Sequence, residues 1–200
     1  MSNNKKIIVT GSEGFIGKRL VEILKQQGNI VIPIDRKIGS EADSIINMLD
    51  DIDVVIHLAA QTSVFNTDYE QICKDNIITF VRICNACNDK NIKLVYASSS
   101  TANNCNTTSF YGLSKRFDEE YASIYCPSAT GVRLHNVWSE TPREGTLMWH
   151  LLNTNTVLYN NGLNERCFTY IDDAVYGLIY AIDSDDKLLN MVNYEPIKIC

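Results

Sequence analysis

Ser99, Tyr111 and Lys115 fall within the stretch YASSSTANNCNTTSFYGLSK, residues 96–115. Their types suit proton exchange with a hydroxyl group. Tyr111 and Lys115 are four positions apart, so on a helix they share a face. A lysine cation beside a phenol draws its pKa down from about 10 toward working pH, which lets a tyrosine act as a general acid or base. Ser99 closes an apolar run 12 residues before the tyrosine and could hydrogen-bond the same substrate oxygen. A Tyr-x-x-x-Lys spacing also arises by chance on amphipathic helices, so its meaning depends on what surrounds it.

A second constellation lies near the N-terminus, where VTGSEGFIG sets Gly11, Gly14 and Gly17 after a β-branched run and at the start of a helical pattern. Glycines so placed allow a tight turn, close approach of backbone to a pyrophosphate, and close helix–strand packing, with the helix N-terminus favouring the phosphate charge. Asp35 ends the next apolar run, 18 residues beyond Gly17, where a carboxylate can accept both hydroxyls of an adenosine ribose. That carboxylate repels a 2′-phosphate and favours NAD over NADP. Arg36 beside it could stack on adenine or hold that extra phosphate.

The elements that must position these residues follow from hydrophobic periodicity. KKIIVTG predicts a strand, and FIGKRLVEILKQQG a helix whose apolar positions 15, 16, 20, 21, 23 and 24 form one face, closed by Gly28. NIVIPID and DVVIHLAA predict further strands, separated by a short helix at SIINMLDDI. A long helix over 68–89, a strand at IKLVYASS, a helix at SFYGLSKRFDEEYASIY and a fifth strand at ATGVRLHNV follow. Such alternation predicts a doubly wound α/β fold: a parallel, Rossmann-like sheet with a ligand crevice at the strands' carboxyl ends. Residues 138–200 add a helix around TLMWHLLNT, a polar loop and a closing helix at DDAVYGLIYAID. They contain no linker or repeat, so residues 1–200 read as one dinucleotide-binding domain with small substrate-binding elements within about 138–200.

Bulk composition narrows the class. The 200 residues are 45% hydrophobic, with no apolar run of membrane-spanning length. A net charge of −6 and a pI near 5.0 disfavour a nucleic-acid partner. The N-terminal MSNNKKIIVTG lacks the pattern of a signal peptide, which predicts a cytoplasmic location. Seven cysteines without a disulfide-framework spacing are expected as thiols. Cys84 and Cys87 form a CxxC inside a helical pattern with no second pair or histidine nearby, so no metal site is expected.

TGSEGFIG, Asp35, DVVIHLAA, Asn76 in DNIITF, YASSS and YGLSK occur in the order seen in the extended short-chain dehydrogenase/reductase family, the NAD-dependent nucleotide-sugar epimerases and dehydratases. VRLHNVWSE, ERCFTYIDDAVYGLIYAID and MVNYEPIKI are similar to later segments of that family, so the resemblance spans most of the chain. It implies that Gly11, Gly14 and Gly17, with Phe15 and Ile16, cradle the pyrophosphate of NAD. Asp35 and Arg36 would meet the adenosine ribose, and Leu58, Ala59, Ala60 and Asn76 would line the cofactor's path. Tyr111 would be the acid/base, Lys115 would tune it and hold the nicotinamide ribose, and Ser99 would orient the substrate. Thr101 matches a position that helps bind or activate the sugar, while Asn136 and Arg166 match positions that contact the substrate's diphosphate.

The implied chemistry is transient oxidation of a nucleotide sugar by NAD, and the implied partner is a second copy of the chain, paired through helices near 68–89 and 110–125. Dehydratases of the family typically carry Asp-Glu after the active-site serine or threonine, whereas this chain has Ser100 and Thr101, which favours an epimerase or a keto-sugar reductase. PREGTLMWHLLNT is similar to heptose-nucleotide 6-epimerases, without the lysine expected shortly after PREG. The chain is short for the family. Between Asp35 and Asp53 there is no room for the usual strand and helix, leaving Asp43 as a candidate adenine contact, and a reduced substrate lobe is expected. A dinucleotide-binding sensor or partner subunit without turnover is the alternative.

Overall fold

The computed structural model describes residues 4–103, 109–154 and 157–199. Part of the loop between Ser99 and Tyr111, residues 104–108, lies outside them. Among the described residues, the main sheet has six parallel strands: β1 (Lys6–Thr10), β2 (Ile30–Ile34), β3 (Val54–His57), β4 (Lys93–Ser99), β5 (Thr130–Leu134) and a strand at Leu188–Met191. Their spatial order is β2-β1-β3-β4-β5 with the Leu188–Met191 strand at the far edge.

The strands read as continuous apolar runs because both faces of the sheet are covered. Ile8, Val55, Leu94 and Tyr96 point to one side, and Ile7, Val9, Val54, Ile56 and Val95 to the other. On the second side pack α1 (Phe15–Gln26), through Leu20, Ile23 and Leu24, and the closing helix at Ile171–Tyr180, through Val175, Leu178 and Ile179. The first side receives a long helical rod and α4. The rod runs from α2 (Tyr69–Ile72) through a π-helical stretch, Cys73–Ile78, into α3 (Thr79–Asp89). Next in sequence is α4 (Phe110–Tyr125), whose Ser109 cap accepts the Gly112 N–H at 3.0 Å.

From β1 the chain turns through α1 to β2 on one side, then crosses back to β3 on the other. The carboxyl ends of β1 and β3 therefore flank a topological switch point, where doubly wound folds bind ligands. With β2 at the sheet edge, Pro33 is tolerated there because its missing N–H removes no bond to an outer neighbour. In place of an outer strand, the 3₁₀ segment Ala42–Met48 buries Ile45 beneath the sheet.

The C-terminal third departs from the sequence reading. The fifth strand stops at Leu134: Asn136 adopts a left-handed φ of 37°, and the chain leaves the main sheet for β6 (Val137–Trp138). After α5 (Leu147–Asn153) come β7 (Glu165–Arg166) and β8 (Thr169–Tyr170), and β8 pairs parallel with β6. The closing helix is α6, and the edge strand Leu188–Met191 is β9. Finally β10 (Ile197–Lys198) pairs antiparallel with β7. None of the helices among the described residues is long and apolar enough to cross a membrane.

Candidate active site

The carboxyl ends of the strands open into a cavity of about 780 Å³. Its walls carry Gly11, Gly14, Phe15, Ile16 and Gly17, then Asp35 and Arg36, then Leu58, Ala59 and Ala60. Ser99, Thr101, Tyr111, Lys115 and Asn136 line the same space. Two motifs some ninety residues apart in the chain thus meet across one crevice.

The β1–α1 turn is built for close approach. Gly11 has φ 71°, and a Cβ there would lie 2.7 Å from the Ala59 nitrogen. A Cβ on Gly17 would sit 2.1 Å from the Gly11 carbonyl oxygen. Helix α1 follows Gly14 at its N-cap, with no side-chain cap and no acidic residue in its first turn, so its leading N–H groups and partial positive charge face the cavity end. The Ser12 hydroxyl is buried with no hydrogen-bond partner among the described residues. An uncapped 12-residue helix behind a tight glycine turn fits the pyrophosphate of a dinucleotide.

Asp35 stands at the end of β2, its carboxylate accepting the N–H groups of Glu13 (3.0 Å) and Lys37 (2.9 Å). Its neighbour Arg36 is not a free cation: it donates to both oxygens of Asp75 (2.7 and 2.5 Å) and to Glu41 (2.7 Å). Asp75 is buried; burial alone would raise its pKa, but Arg36 and two glutamine side chains hold it down at about 2. The π-helical stretch turns both Asp75 and Asn76 inward. Asn76 does not line the cavity as expected of a cofactor contact. It is fully buried, exchanging hydrogen bonds with the Gln61 backbone (2.8 and 3.0 Å) and donating to Ser114 Oγ (3.0 Å). Its place is structural, tying the loop after β3 to the helix that carries Tyr111. Asp43 likewise misses the cavity wall and pairs with Arg82.

At the other end, Ser99 Oγ accepts hydrogen bonds from the Thr101 N–H (3.2 Å) and hydroxyl (2.9 Å). The Thr101 backbone N–H thus fixes Ser99 Oγ at the cavity wall. Lys115 is buried, with Nζ 3.0 Å from Asp118 Oδ2. Burial would lower the lysine's pKa, yet the charges of Asp118 and Tyr111 outweigh it and hold the ammonium above its ordinary value. Asp118 itself is pushed up to about 6 by burial, against the pull of Lys115. This i, i+3 pair carries an ordinary helical spacing that sequence reading could have flagged.

The expected diphosphate contacts divide. Asn136 reaches the cavity wall, its Nδ2 donating to the Cys167 carbonyl (2.8 Å). Arg166 lies exposed on β7, away from the wall, with Nη1 donating to the Glu165 carbonyl. A residue not singled out from the sequence, Arg143, lines the cavity instead. Whereas Arg36 and Lys115 face carboxylates, Arg143 meets a hydroxyl, Thr62 Oγ1, at 3.2 Å.

A Rossmann-like sheet, a glycine turn at its switch point and a Ser–Tyr–Lys wall define a dinucleotide-dependent class of protein. Residues 7–194 match the NAD dependent epimerase/dehydratase family, and the chain belongs to that family. The expected cofactor, NAD, is the one the family's description names. Among curated relatives, a UDP-2-acetamido-2,6-beta-L-arabino-hexul-4-ose reductase from Pseudomonas aeruginosa is 29% identical over 95% of this chain and 52% of its own length. UDP-glucuronate 4-epimerase 4 from Arabidopsis thaliana is 29% identical over 93% of this chain and 56% of its own. The chain spans about half the length of these two relatives. Of solved structures, MoeE5 in complex with UDP-glucose and NAD superposes with a TM-score of 0.86 at 25% identity, covering 97% of this chain and 78% of that one.

Proposed function

We propose that the chain is an NAD-dependent enzyme acting on a nucleotide sugar, either epimerising it or reducing its keto form. The observation that carries this reading is the shared cavity wall: Ser99, Tyr111 and Lys115 face the space that begins at the uncapped end of α1. In this reading the α1 N-terminus holds the pyrophosphate, Asp35 the adenosine ribose, and Lys115 the nicotinamide ribose. Bound NAD supplies the acceptor and donor of the electron pair. Tyr111 takes the proton of the sugar hydroxyl at its phenol oxygen and later returns it, while the Ser99 hydroxyl donates to the same substrate oxygen. Thr101 keeps Ser99 so oriented. Arg143 and Asn136 meet the substrate's anionic groups, for which a planar guanidinium is suited.

In this proposal residues 1–200 act as one dinucleotide-binding domain, with small substrate-binding elements within about 138–200. The alternative, a dinucleotide-binding module without turnover, is separated by one substitution. Tyr111→Phe is expected to cut turnover by about 10³-fold while leaving NAD affinity within about twofold. A fully active variant would overturn the assigned role, and a wild-type chain that binds NAD yet turns over nothing would favour the module.

Assembly as a homodimer is part of the same proposal. Leu113, Phe117 and Ile124 make an exposed apolar stripe along α4, and Ile78 is exposed on the neighbouring rod. A second copy covering that stripe predicts a dimer mass in light scattering; a monomer at all concentrations would refute it.

A further inference from the structure

The ribose end of the cavity holds an arginine whose charge is already answered twice. Arg36 follows Asp35 directly, at the end of β2, and an arginine in that position is what accommodates a 2′-phosphate in enzymes that use the phosphorylated dinucleotide. Here the guanidinium is engaged on three of its N–H groups. Nη1 and Nη2 grip Asp75 in a bidentate pair at 2.7 and 2.5 Å, and Nε donates to Glu41 Oε2 at 2.7 Å. Such paired, charge-assisted geometry is the strong form of the contact. The anchor comes from inside the protein: Asp75 is buried, set by the π-helical turn, and also accepts from Gln61 Nε2 at 2.8 Å.

Asp35, Glu41 and Asp75 all lie on the wall, and the last two are paired with the one guanidinium. The adjacent Lys37 ammonium is turned to the Glu13 carbonyl at 3.3 Å. A phosphate arriving there would meet net negative charge, and to reach Nε or the bidentate edge of Arg36 it would have to displace a carboxylate. An unphosphorylated ribose needs no such exchange, since Asp35 can accept its hydroxyls while Arg36 stays in place.

We propose that Glu41 and Asp75 are cofactor-specificity residues, which by holding Arg36 keep its guanidinium from a 2′-phosphate and make the pocket select the unphosphorylated dinucleotide. This inference rests on the NAD-dependent reading above, and it adds two residues, one just before the 3₁₀ segment and one from the π-turn, to the selection made by Asp35.

The test is equilibrium binding of NAD+ and NADP+ to the full chain by calorimetry, with no turnover required. In Glu41→Gln/Asp75→Asn the ratio of the NADP+ to the NAD+ dissociation constant is expected to fall by about tenfold, as Arg36 becomes available. Adding Arg36→Ala to that pair is expected to reverse the gain, which separates release of the guanidinium from simple loss of repulsion. Because Asp75 is buried, Glu41→Gln alone, on an exposed side chain, provides a fold-independent arm, with an expected fall of about threefold. A ratio unmoved in both variants, or a gain that survives Arg36→Ala, overturns the inference. If the unaltered chain binds no NAD+ at all, the reading beneath it fails instead.

Discussion

The Lys115 ammonium and the Asp118 carboxylate lie 3.0 Å apart, one helical turn along α4, with both side chains almost wholly out of water. The second oxygen of Asp118 has no hydrogen-bond partner among the described residues, so Lys115 is its main compensation. Removing one member of a buried pair strands the other, whereas removing both can be nearly neutral. Lys115→Met is therefore expected to cost about 3–5 kcal/mol in denaturant unfolding, and Lys115→Met/Asp118→Asn to recover most of it. Equal losses in the single and double variants would show that the pair does not act as one unit.

His57 gives the fold a dependence on pH. It is fully buried at the end of β3, with Nδ1 2.7 Å from Thr10 Oγ1, and burial, aided by the charge of Lys115, lowers its pKa to about 3. Below about 6.5 the unfolded chain takes up a proton that the folded chain refuses until about pH 3, so stability falls across that window as pH drops, at up to about 1.4 kcal/mol per unit. Asp118, raised to about 6, works the other way between its ordinary range and that value, because there the folded form binds the extra proton. His57→Gln should lose less stability than the unaltered chain between pH 7 and pH 5 in thermal melts. Parallel losses would contradict the assignment.

Gly17 is the tightest point of the glycine turn. An alanine Cβ there would meet the Gly11 carbonyl oxygen at 2.1 Å and Ser12 Cα at 2.9 Å, both backbone atoms that cannot rotate away. Gly17→Ala is expected to cost about 2–3 kcal/mol and to weaken NAD binding together with stability. Gly14→Ala, whose nearest contact is 3.0 Å, should cost less. The order of the two melting temperatures checks this.

Arg143 and Arg166 should separate in kinetics. Arg143→Ala is expected to raise KM for the nucleotide sugar about tenfold, and Arg166→Ala to change it by less than about twofold. The reverse order would return the anion contact to β7.

What could be read from the sequence follows what is local. The strand, glycine turn and helix over residues 6–26, Asp35 at a strand end, and Tyr111 above Lys115 on one helix all depend on spacings of a few residues, and the structure places them as expected. Contacts between distant segments were not legible. Arg36 meets Asp75 across 39 positions, and the π-turn that aims Asp75 leaves no mark in the hydrophobic period. Strand β9, LLNM, is too short and mixed to announce itself, and it forms because β5 offers it an open edge. The break at Asn136 is a left-handed residue within an otherwise strand-like run, and asparagine tolerates that conformation better than its neighbours.

The most direct test of the account is to incubate the purified chain with NAD and a panel of UDP-, GDP-, dTDP- and ADP-sugars and to follow the isomers formed. The account predicts interconversion of at least one sugar pair, or reduction of its keto form when reduced cofactor is supplied, with the activity lost in Tyr111→Phe. Measurable NAD binding with no turnover on any member of the panel would contradict it.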